Sequence, residues 1–176
     1  MPRLFVAIRP PRPVRERLIA MMGGVRGARW QSDDQLHLTL RFIGAVDRHR
    51  AADILAALGQ VHAPRLELSL TEPGLFDRRG RPEVLWAGVA PHEPLRALHK
   101  KIDQALARVG IPPDTRAFSP HITLARLARD AVPPDGLFGS GLVGGEPFAV
   151  DSFALFESEL TPQGAIYTIV ERYPLG

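Results

Sequence analysis

Two short stretches place side chains with useful chemistry at a fixed spacing: HLTL begins at His37, and HITL begins at His121, 84 positions later. Histidine titrates near neutral pH, so its imidazole can take or give a proton under ordinary conditions. A threonine hydroxyl can donate a hydrogen bond to an anionic oxygen. Because alternate residues of a strand share a face, we expect His37 and Thr39 to point to the same side of one strand. His121 and Thr123 should do the same on another strand.

Two such strands facing each other would enclose a space walled by two imidazoles and two hydroxyls. That set of groups suits a phosphodiester. The hydroxyls would hold the phosphate, one imidazole would take a proton from the nucleophile, and the other would give a proton to the leaving alkoxide. Opposite placement also matches in-line displacement at phosphorus, in which the attacking and leaving oxygens lie on opposite sides. The doubled motif therefore predicts a phosphodiester-cleaving site.

A structural role and a metal-binding role compete with catalysis for the two histidines. A single histidine on a half-buried strand is more often a structural residue that satisfies its hydrogen bonds within the fold. Composition alone would give two His-x-Thr-Leu motifs in only roughly a few of ten thousand such chains. A metal site needs further ligands, and neither HxH, HxxxH nor clustered carboxylates accompany either histidine, so we expect no metal and no other cofactor. The remaining histidines are expected on the surface of predicted helices or at their ends: His49, His62, His92 and His99.

Length and composition narrow the class of protein. The 176 residues suffice for one compact domain or two small lobes, and 45% hydrophobic and 23% charged residues are ordinary for a globular chain. Because cysteine is absent, disulfide frameworks, thiolate zinc sites and cysteine nucleophiles are excluded. No apolar run approaches the length of a membrane span, and the start, MPRLFVAIRP, lacks the apolar core of a signal peptide. We therefore expect a cytoplasmic monomer that does not associate with membranes.

Arginine carries almost all of the positive charge, since the net charge is +3 and the chain has twenty arginines and two lysines. Guanidinium groups bind phosphate in a bidentate way that ammonium groups cannot match, which favours a phosphate-bearing partner such as nucleic acid. A GC-rich coding sequence would produce the same bias. Arg78, Arg79 and Arg81 lie in a predicted hairpin turn, where they would track an RNA backbone or simply form a solvated turn.

The chain alternates predicted strands with predicted helices. The first half contains strands over 3–8 and 36–43, a helix with apolar residues from Val14 to Met22, and a second helix that Asp47 can cap. The later predicted elements are a strand over 66–70, a hairpin over 74–89, a helix stopping at Gly110, the strand HITLAR, a Pro- and Gly-rich loop over 129–147, and the strands PFAVDSFALFES and GAIYTIVERYPL.

The order of these elements repeats. A strand, a helix, a His-x-Thr-Leu strand, a connector and an apolar strand occur twice, which indicates a diverged internal duplication. Short strands and hairpins predict an α+β fold with antiparallel sheets rather than a doubly wound parallel sheet. The sequence contains no Gly-rich phosphate loop of either common type.

HLTLRFIG and FSPHITLAR resemble the two signature motifs of the 2H phosphoesterase superfamily. The similarity is greatest to the bacterial and archaeal RNA 2′,3′-cyclic phosphodiesterases, also called 2′-5′ RNA ligases. It extends to the LFVAI start and to the late LFESEL region with its G..Y spacing. The resemblance implies one domain over 1–176, made of two pseudo-symmetric lobes that each carry one motif. It also implies a cleft between two antiparallel sheets, with helices on the outside.

The same resemblance implies metal-independent opening of a 2′,3′-cyclic phosphate to a 2′-phosphate. His37 would then be the proton donor to the leaving 3′ oxygen, and His121 the proton acceptor that activates water. Thr39 and Thr123 would hold the phosphate. A weak, reversible, ATP-independent 2′-5′ joining of RNA ends is also implied. The expected partners are RNA ends with cyclic phosphates, with tRNA fragments and small cyclic nucleotides as candidates.

Arg126 follows the second motif as in related sequences and would add positive charge to the phosphate pocket. Strict alternation puts Arg126 on the face of Ile122 and Leu124, so this role requires the strand to end or twist there.

Four further residues are candidate contacts to a base or to RNA, and alternation predicts the face of two of them. Arg41 is expected on the His37 face, and its counterpart in the second motif is Ala125. Phe42 is expected on the opposite face, in the core or at the edge of a nucleobase. Trp86 and Phe118 are either stacking platforms for bases or structural residues.

Two further functions stay open. One is an RNA end-binding module with little catalysis, although binding alone does not need two proton-transfer groups. The second is a related phosphodiesterase that acts on a 2′-5′ oligonucleotide or on a cyclic phosphate of ADP-ribose. The 129–147 loop and the arginine hairpin are where such selectivity would lie.

Overall fold

The computed structural model describes residues 1–133 and 145–176. Most of the loop predicted over 129–147 therefore lies outside the described residues. The described elements, in chain order, are β1 (Arg3–Ile8), α1 (Arg12–Ala20), β2 (Ala28–Trp30), a 3-10 turn (Asp33–Gln35), β3 (Leu38–Ala45), α2 (Arg48–Leu58), β4 (Leu66–Arg78), β5 (Arg81–Ala90), α3 (His92–Arg108), β6 (His121–Leu127), β7 (Phe148–Val150), β8 (Ser152–Thr161) and β9 (Gly164–Pro174).

The strands of the described residues pair in one antiparallel order, β7-β4-β5-β6-β3-β1-β8-β9, with β2 added against β6. The middle of this order is narrow, because β3 and β6 share the single registered pair Leu38 and Ile122. The α+β fold with antiparallel strands is confirmed. The two predicted sheets correspond to the halves of this order, β7-β4-β5-β6 and β3-β1-β8-β9, which join at that pair.

The sheet is curled, as the short connection between β7 and β8 requires. We predicted one strand for PFAVDSFALFES, and this was wrong, because the stretch divides at Asp151. Its first part pairs with β4 and its second part with β1. These partners lie near opposite ends of the strand order, so the sheet must curve to bring its ends to one residue. Strand β2 was not predicted, because three residues are too short to show an alternation.

The helices pack on the face of the sheet opposite the two histidines. Asp47 caps α2 as predicted, since its side chain accepts a hydrogen bond from the Arg50 amide at 2.7 Å. The buried residues of all three helices join one apolar cluster with the motif residues Leu38, Leu40 and Ile122. The predicted position of the helices, on the outside of the sheet, is therefore confirmed. The motif histidines and threonines alternate with these buried residues and point away from the helices. In the described part of the chain, no helix combines the length and apolar character needed to cross a membrane.

A second, smaller apolar cluster lies on the β3-β1-β8-β9 half of the sheet, on the face that points away from the helices. It contains Phe5, Ala7, Ala154 and Phe156, with Tyr167 and Ile169 packed against it. The ring of Phe5 stacks on that of Phe156 at 5.0 Å between centroids. The cleft therefore has an apolar wall on the side of the first motif.

The predicted β4–β5 hairpin is confirmed and ends in a tight turn. Arg78 pairs with Arg81, and the two residues between them have positive φ angles, 52° at Arg79 and 77° at Gly80. Positive φ at both central positions is the geometry of a type I′ turn, whose twist matches that of the flanking strands. Strand pairing thus continues to the tip, where the arginines lie.

Candidate active site

A cleft of about 440 Å³ crosses the middle of the sheet, where its two halves meet. The four residues predicted from the doubled motif, His37, Thr39, His121 and Thr123, all line it. Residues 84 positions apart in the sequence are thus brought into one space. The alternation argument holds for all four, because the residues between them, such as Leu38 and Ile122, are buried.

The strand register interlocks the two motifs. Leu38 and Ile122 pair in antiparallel fashion. His37 and Thr39 flank Leu38, and His121 and Thr123 flank Ile122, so the two motifs lie side by side and run in opposite directions.

Both imidazoles are oriented by the same kind of hydrogen bond. His37 Nδ1 lies 2.7 Å from the carbonyl oxygen of Gln35, and His121 Nδ1 lies 2.6 Å from that of Ser119. A carbonyl oxygen only accepts hydrogen bonds, so Nδ1 carries a proton in each ring. The remaining nitrogen, Nε2, is left for proton transfer in both cases.

The two Nε2 atoms differ in their contacts with threonine. His37 Nε2 lies 2.9 Å from Thr39 Oγ1, and the neutral ring accepts this hydrogen bond. Among the described residues, no matching hydrogen bond joins His121 to Thr123.

Each histidine ring makes a T-shaped contact with one aromatic ring. The ring of Tyr167 stands at 87° to that of His37, with 5.2 Å between centroids. The ring of Phe76 stands at 89° to that of His121, with 4.8 Å between centroids. These contacts fix ring orientation and exclude water from one side of each imidazole, so both rings are preorganised.

Burial lowers the pKa of both histidines. The pKa of His37 falls from 6.5 to about 4, chiefly through desolvation and further through the positive charges of His121, Arg9 and Arg126. The hydrogen bond to the Gln35 carbonyl opposes this shift only in part. Desolvation also lowers the pKa of His121. Both rings are therefore neutral at pH 7 in the free protein.

An extra residue in β3 changes the alternation after the first motif. Thr39 and Arg41 pair with consecutive residues of β1, which leaves Leu40 as the extra residue of a β-bulge. Leu40 and Arg41 are in consequence both buried. Phe42 then emerges on the cleft side, 49% exposed.

The second motif contains the same irregularity. Thr123 and Ala125 pair with consecutive residues of β5, which leaves Leu124 as the extra residue. Leu124 and Ala125 are both buried, and Arg126 emerges exposed in the cleft. The predicted role of Arg126 in the phosphate pocket required a departure from strict alternation, and the strand contains one at Leu124.

The fold, the paired motifs and the cleft can be compared with known proteins. The model of one protein family, LigT like Phosphoesterase, matches residues 8–86 and 88–167. The chain belongs to this family. The predicted membership of the 2H phosphoesterases is thereby confirmed.

Two curated relatives match over nearly the whole chain. An RNA 2′,3′-cyclic phosphodiesterase from Thermus thermophilus is 37% identical, covering 98% of this chain and 90% of the relative. One from Escherichia coli is 33% identical, covering 98% of this chain and 96% of the relative. The crystal structure of E. coli LigT in its apo form has a TM-score of 0.81 and 32% identity, covering 99% of this chain and 98% of that one.

Arg41 of this LigT-like chain is among the residues that line the cleft, in keeping with its predicted place on the His37 face, but its side chain is engaged elsewhere. It is only 6% exposed, forms an ion pair with Asp103 of α3 and donates a hydrogen bond to the Pro112 carbonyl. It therefore braces the loop after α3. The opposite-face prediction for Phe42 was wrong, because Phe42 is 49% exposed on the cleft side. The cause is the bulge at Leu40, which shifts the alternation of the strand by one residue.

Phe118 lies in the cleft wall. Its ring stacks on that of His99, with 4.4 Å between centroids and 3° between planes. His99 is therefore partly buried rather than a surface residue as predicted. Trp86 is not among the residues that line the cleft. Its indole lies over Gly74 and beside His121, with 6.2 Å between the rings.

Several cleft residues of this LigT-like chain were not predicted. Tyr167 and Phe76 come from β9 and β4, and neither stands near a motif in the sequence. The only signal for Tyr167 was its place in the late G..Y spacing. The remaining unpredicted lining residues include Gln31, Asp114 and Arg116.

Within 1–133 and 145–176, no three histidine, aspartate or glutamate side chains lie close enough together to hold a metal ion. Metal independence itself stays a prediction.

Proposed function

We propose that this protein hydrolyses 2′,3′-cyclic phosphates at RNA ends to 2′-phosphates by acid-base catalysis with two histidines. The observation that carries this proposal is the meeting of two His-x-Thr motifs in one cleft, with the same tautomer fixed in both rings. The curated relatives named RNA 2′,3′-cyclic phosphodiesterase support the substrate class. A crystal structure of E. coli LigT complexed with 3′-AMP, with a TM-score of 0.82, supports a nucleotide as a ligand of this chain.

The proposed reaction has one bond forming and one breaking at phosphorus. Nε2 of His121 takes a proton from water, and the water oxygen attacks phosphorus. The bond from phosphorus to O3′ breaks, and Nε2 of His37 gives its proton to O3′. The products are a 2′-phosphate and a free 3′ hydroxyl. Thr39, Thr123 and Arg126 hold the non-bridging oxygens as charge develops on them.

The lowered pKa of His37 sets a condition on this mechanism. With a pKa of about 4, His37 carries no proton on Nε2 at pH 7 before substrate arrives. The negative charge of a bound phosphodiester beside the ring favours the imidazolium form and raises its pKa. The donor is therefore charged by proton uptake that accompanies substrate binding.

The same geometry accounts for 2′-5′ joining without ATP. If the 5′ hydroxyl of a second RNA replaces water, His121 takes its proton and His37 again protonates O3′. One phosphodiester is exchanged for another, so no external energy source is required. In the reverse direction the two histidines exchange roles.

We also propose that residues 1–176 form one domain built from two pseudo-symmetric lobes. The two successive matches of the family model support this. So does the strand order, in which β4-β5-β6 on one side reads as β8-β1-β3 on the opposite side. The bulge at the motif leucine occurs in both lobes. The monomeric state and the cytoplasmic location expected from the sequence stay predictions.

A single experiment tests the activity. The protein is incubated with EDTA and a short RNA ending in a 2′,3′-cyclic phosphate, and the terminal phosphate formed is identified. His121→Ala is tested in parallel, with His92→Ala as the matched control, because His92 is exposed at the start of α3. We expect a 2′-phosphate from the wild type and the control, and none from His121→Ala.

Three contrary outcomes distinguish the alternatives. Binding of the RNA without turnover by the wild type would favour the end-binding module. Turnover of a 2′-5′ oligonucleotide or of a cyclic phosphate of ADP-ribose, but not of the RNA end, would favour the related phosphodiesterase. Inhibition by EDTA would exclude the metal-independent mechanism.

A further inference from the structure

A groove of about 370 Å³ lies at the β4–β5 hairpin, outside the catalytic cleft. Four arginines line it, together with one carboxylate and two apolar residues: Arg78, Arg79, Arg81, Arg129, Glu83, Pro82 and Leu127. The hairpin stays paired to its tip, at Arg78 and Arg81. The arginines therefore stand on a defined backbone.

The positive charge of this groove is largely uncompensated. Arg78 and Glu83 are 3.8 Å apart, with side chains 75% and 48% exposed, so their attraction is weak. In the described part of the chain, Arg79, Arg81 and Arg129 take part in no ion pair. Arg15 and Arg41, by comparison, are each paired with a carboxylate. A concave surface with free guanidinium groups fits a polyanion.

The groove begins where the catalytic cleft ends. Phe76 lines the cleft, and Arg78 lines the groove. These two residues of β4 share a face and lie about 6.6 Å apart along the strand. The bulge in this part of the hairpin lies on β5, where Glu83 is the extra residue. The alternation of β4 therefore continues unbroken from Phe76 to Arg78.

The described residues that line the groove include no aromatic ring. Base stacking on single strands uses aromatic rings, whereas contacts to phosphate use guanidinium groups. The groove therefore suits the sugar-phosphate backbone of a strand of any sequence.

We propose that this groove, through Arg78, Arg79, Arg81 and Arg129, holds the phosphates of an RNA strand whose terminal nucleotide occupies the cleft. This inference rests on the proposed function and narrows its substrate to the ends of oligonucleotides. A cyclic mononucleotide fills the cleft alone and gains nothing from the groove.

The test compares two variants that lose the same charge. The groove variant replaces Arg78, Arg79, Arg81 and Arg129 with alanine. The control variant replaces four exposed arginines of the outer helices: Arg12, Arg48, Arg96 and Arg108. Substrates are 2′,3′-cyclic AMP and an octaribonucleotide that ends in the same cyclic nucleotide. The kcat/KM of each substrate is measured over a range of salt concentrations.

We expect the groove variant to lose about 10- to 100-fold in kcat/KM on the octaribonucleotide and to change within about twofold on 2′,3′-cyclic AMP. The control variant should change within about twofold on both substrates. Each lost phosphate contact should also make the plot of log kcat/KM against log salt shallower by about 0.7 for the octaribonucleotide.

Equal losses of kcat/KM on the octaribonucleotide in the two variants would mean that the effect comes from net charge alone, and this would overturn the inference. Equal losses on the two substrates would place the arginines in the catalytic cleft and overturn it as well. If the wild type turns over neither substrate, the proposed function fails, and anisotropy with a fluorescent octaribonucleotide still decides the groove. Weaker binding by the groove variant alone would support the inference, and equal binding by all three proteins would overturn it.

Discussion

The two motifs share a local geometry and differ in what that geometry presents to the cleft. In both, histidine Nδ1 donates to the carbonyl two residues earlier, and an aromatic ring stands edge-on to the imidazole. In both, the motif leucine is the extra residue of a bulge, so the second residue after it faces the cleft. That residue is Phe42 in the first motif and Arg126 in the second.

This difference gives the cleft two unlike ends. Phe42 stacks on Phe5, with 5.8 Å between ring centroids, and extends the apolar wall around His37. Arg126 brings a positive charge that lowers the pKa of His37 across the cleft. Burial raises the pKa of Tyr167, and the charge of Arg126 opposes that shift. The two motifs thus share a backbone geometry, and Phe42 and Arg126, at matching positions, are one source of asymmetry between the surroundings of the two histidines.

The strongest test of the equivalence removes the histidines. We expect His37→Ala and His121→Ala each to lower kcat by about 100-fold or more, because each removes one proton-transfer group. The double variant should be little worse than either single variant, since the two groups act in one step. Rates on a cyclic-phosphate RNA are compared, with circular dichroism to verify folding and His92→Ala as the control. Fully multiplicative losses would mean that the two histidines act independently.

The second test addresses the asymmetry. Arg126→Ala should lower kcat/KM by about 10-fold or more, because a cation is lost beside the developing phosphate charge. Phe42→Ala should cost less and act mainly on KM, because this ring contacts no reacting atom in the proposed mechanism. Arg126→Lys serves as the matched control, because it keeps the charge and loses the bidentate geometry. A larger loss of kcat/KM from Phe42→Ala than from Arg126→Ala would contradict the proposal that the Arg126 charge, rather than the Phe42 ring, stabilises the reacting phosphate.

The sequence predicted the residues whose positions depend on local alternation. His37 and Thr39 share a face because they stand two positions apart on one strand, as do His121 and Thr123, and nothing outside the strand is needed to know this. Phe42 was misplaced because the bulge at Leu40 arises from pairing with β1, which the motif does not encode.

Cleft residues on strands far from the motifs in the sequence could not be predicted from alternation. Tyr167 and Phe76 contact the histidines only because β9 and β4 pair where they do. The division of PFAVDSFALFES at Asp151 likewise depends on pairing with two different strands. Its local pattern is that of one continuous strand. Periodicity sets the face of a side chain but not its partner strand.

The third test uses the pKa of His37 and concerns stability. In the folded protein this pKa is about 4, below the ordinary value of 6.5, so the unfolded chain takes up the proton first as the pH falls. The contribution is therefore fully present above pH 6.5 and is lost between pH 6.5 and pH 4. At pH 5 the loss relative to pH 7.5 should be about 2 kcal/mol from this residue.

Urea unfolding of the wild type and of His37→Gln at pH 7.5 and pH 5 measures this contribution. Because glutamine does not titrate, the variant should lose about 2 kcal/mol less on acidification than the wild type. His121→Gln should shift in the same direction, since burial lowers the pKa of His121 too. Addition of inorganic phosphate should reduce the acid sensitivity of the wild type, because an anion beside His37 raises its pKa in the folded state. An unchanged pH dependence in His37→Gln would show that His37 titrates normally in the free protein and would overturn the lowered pKa.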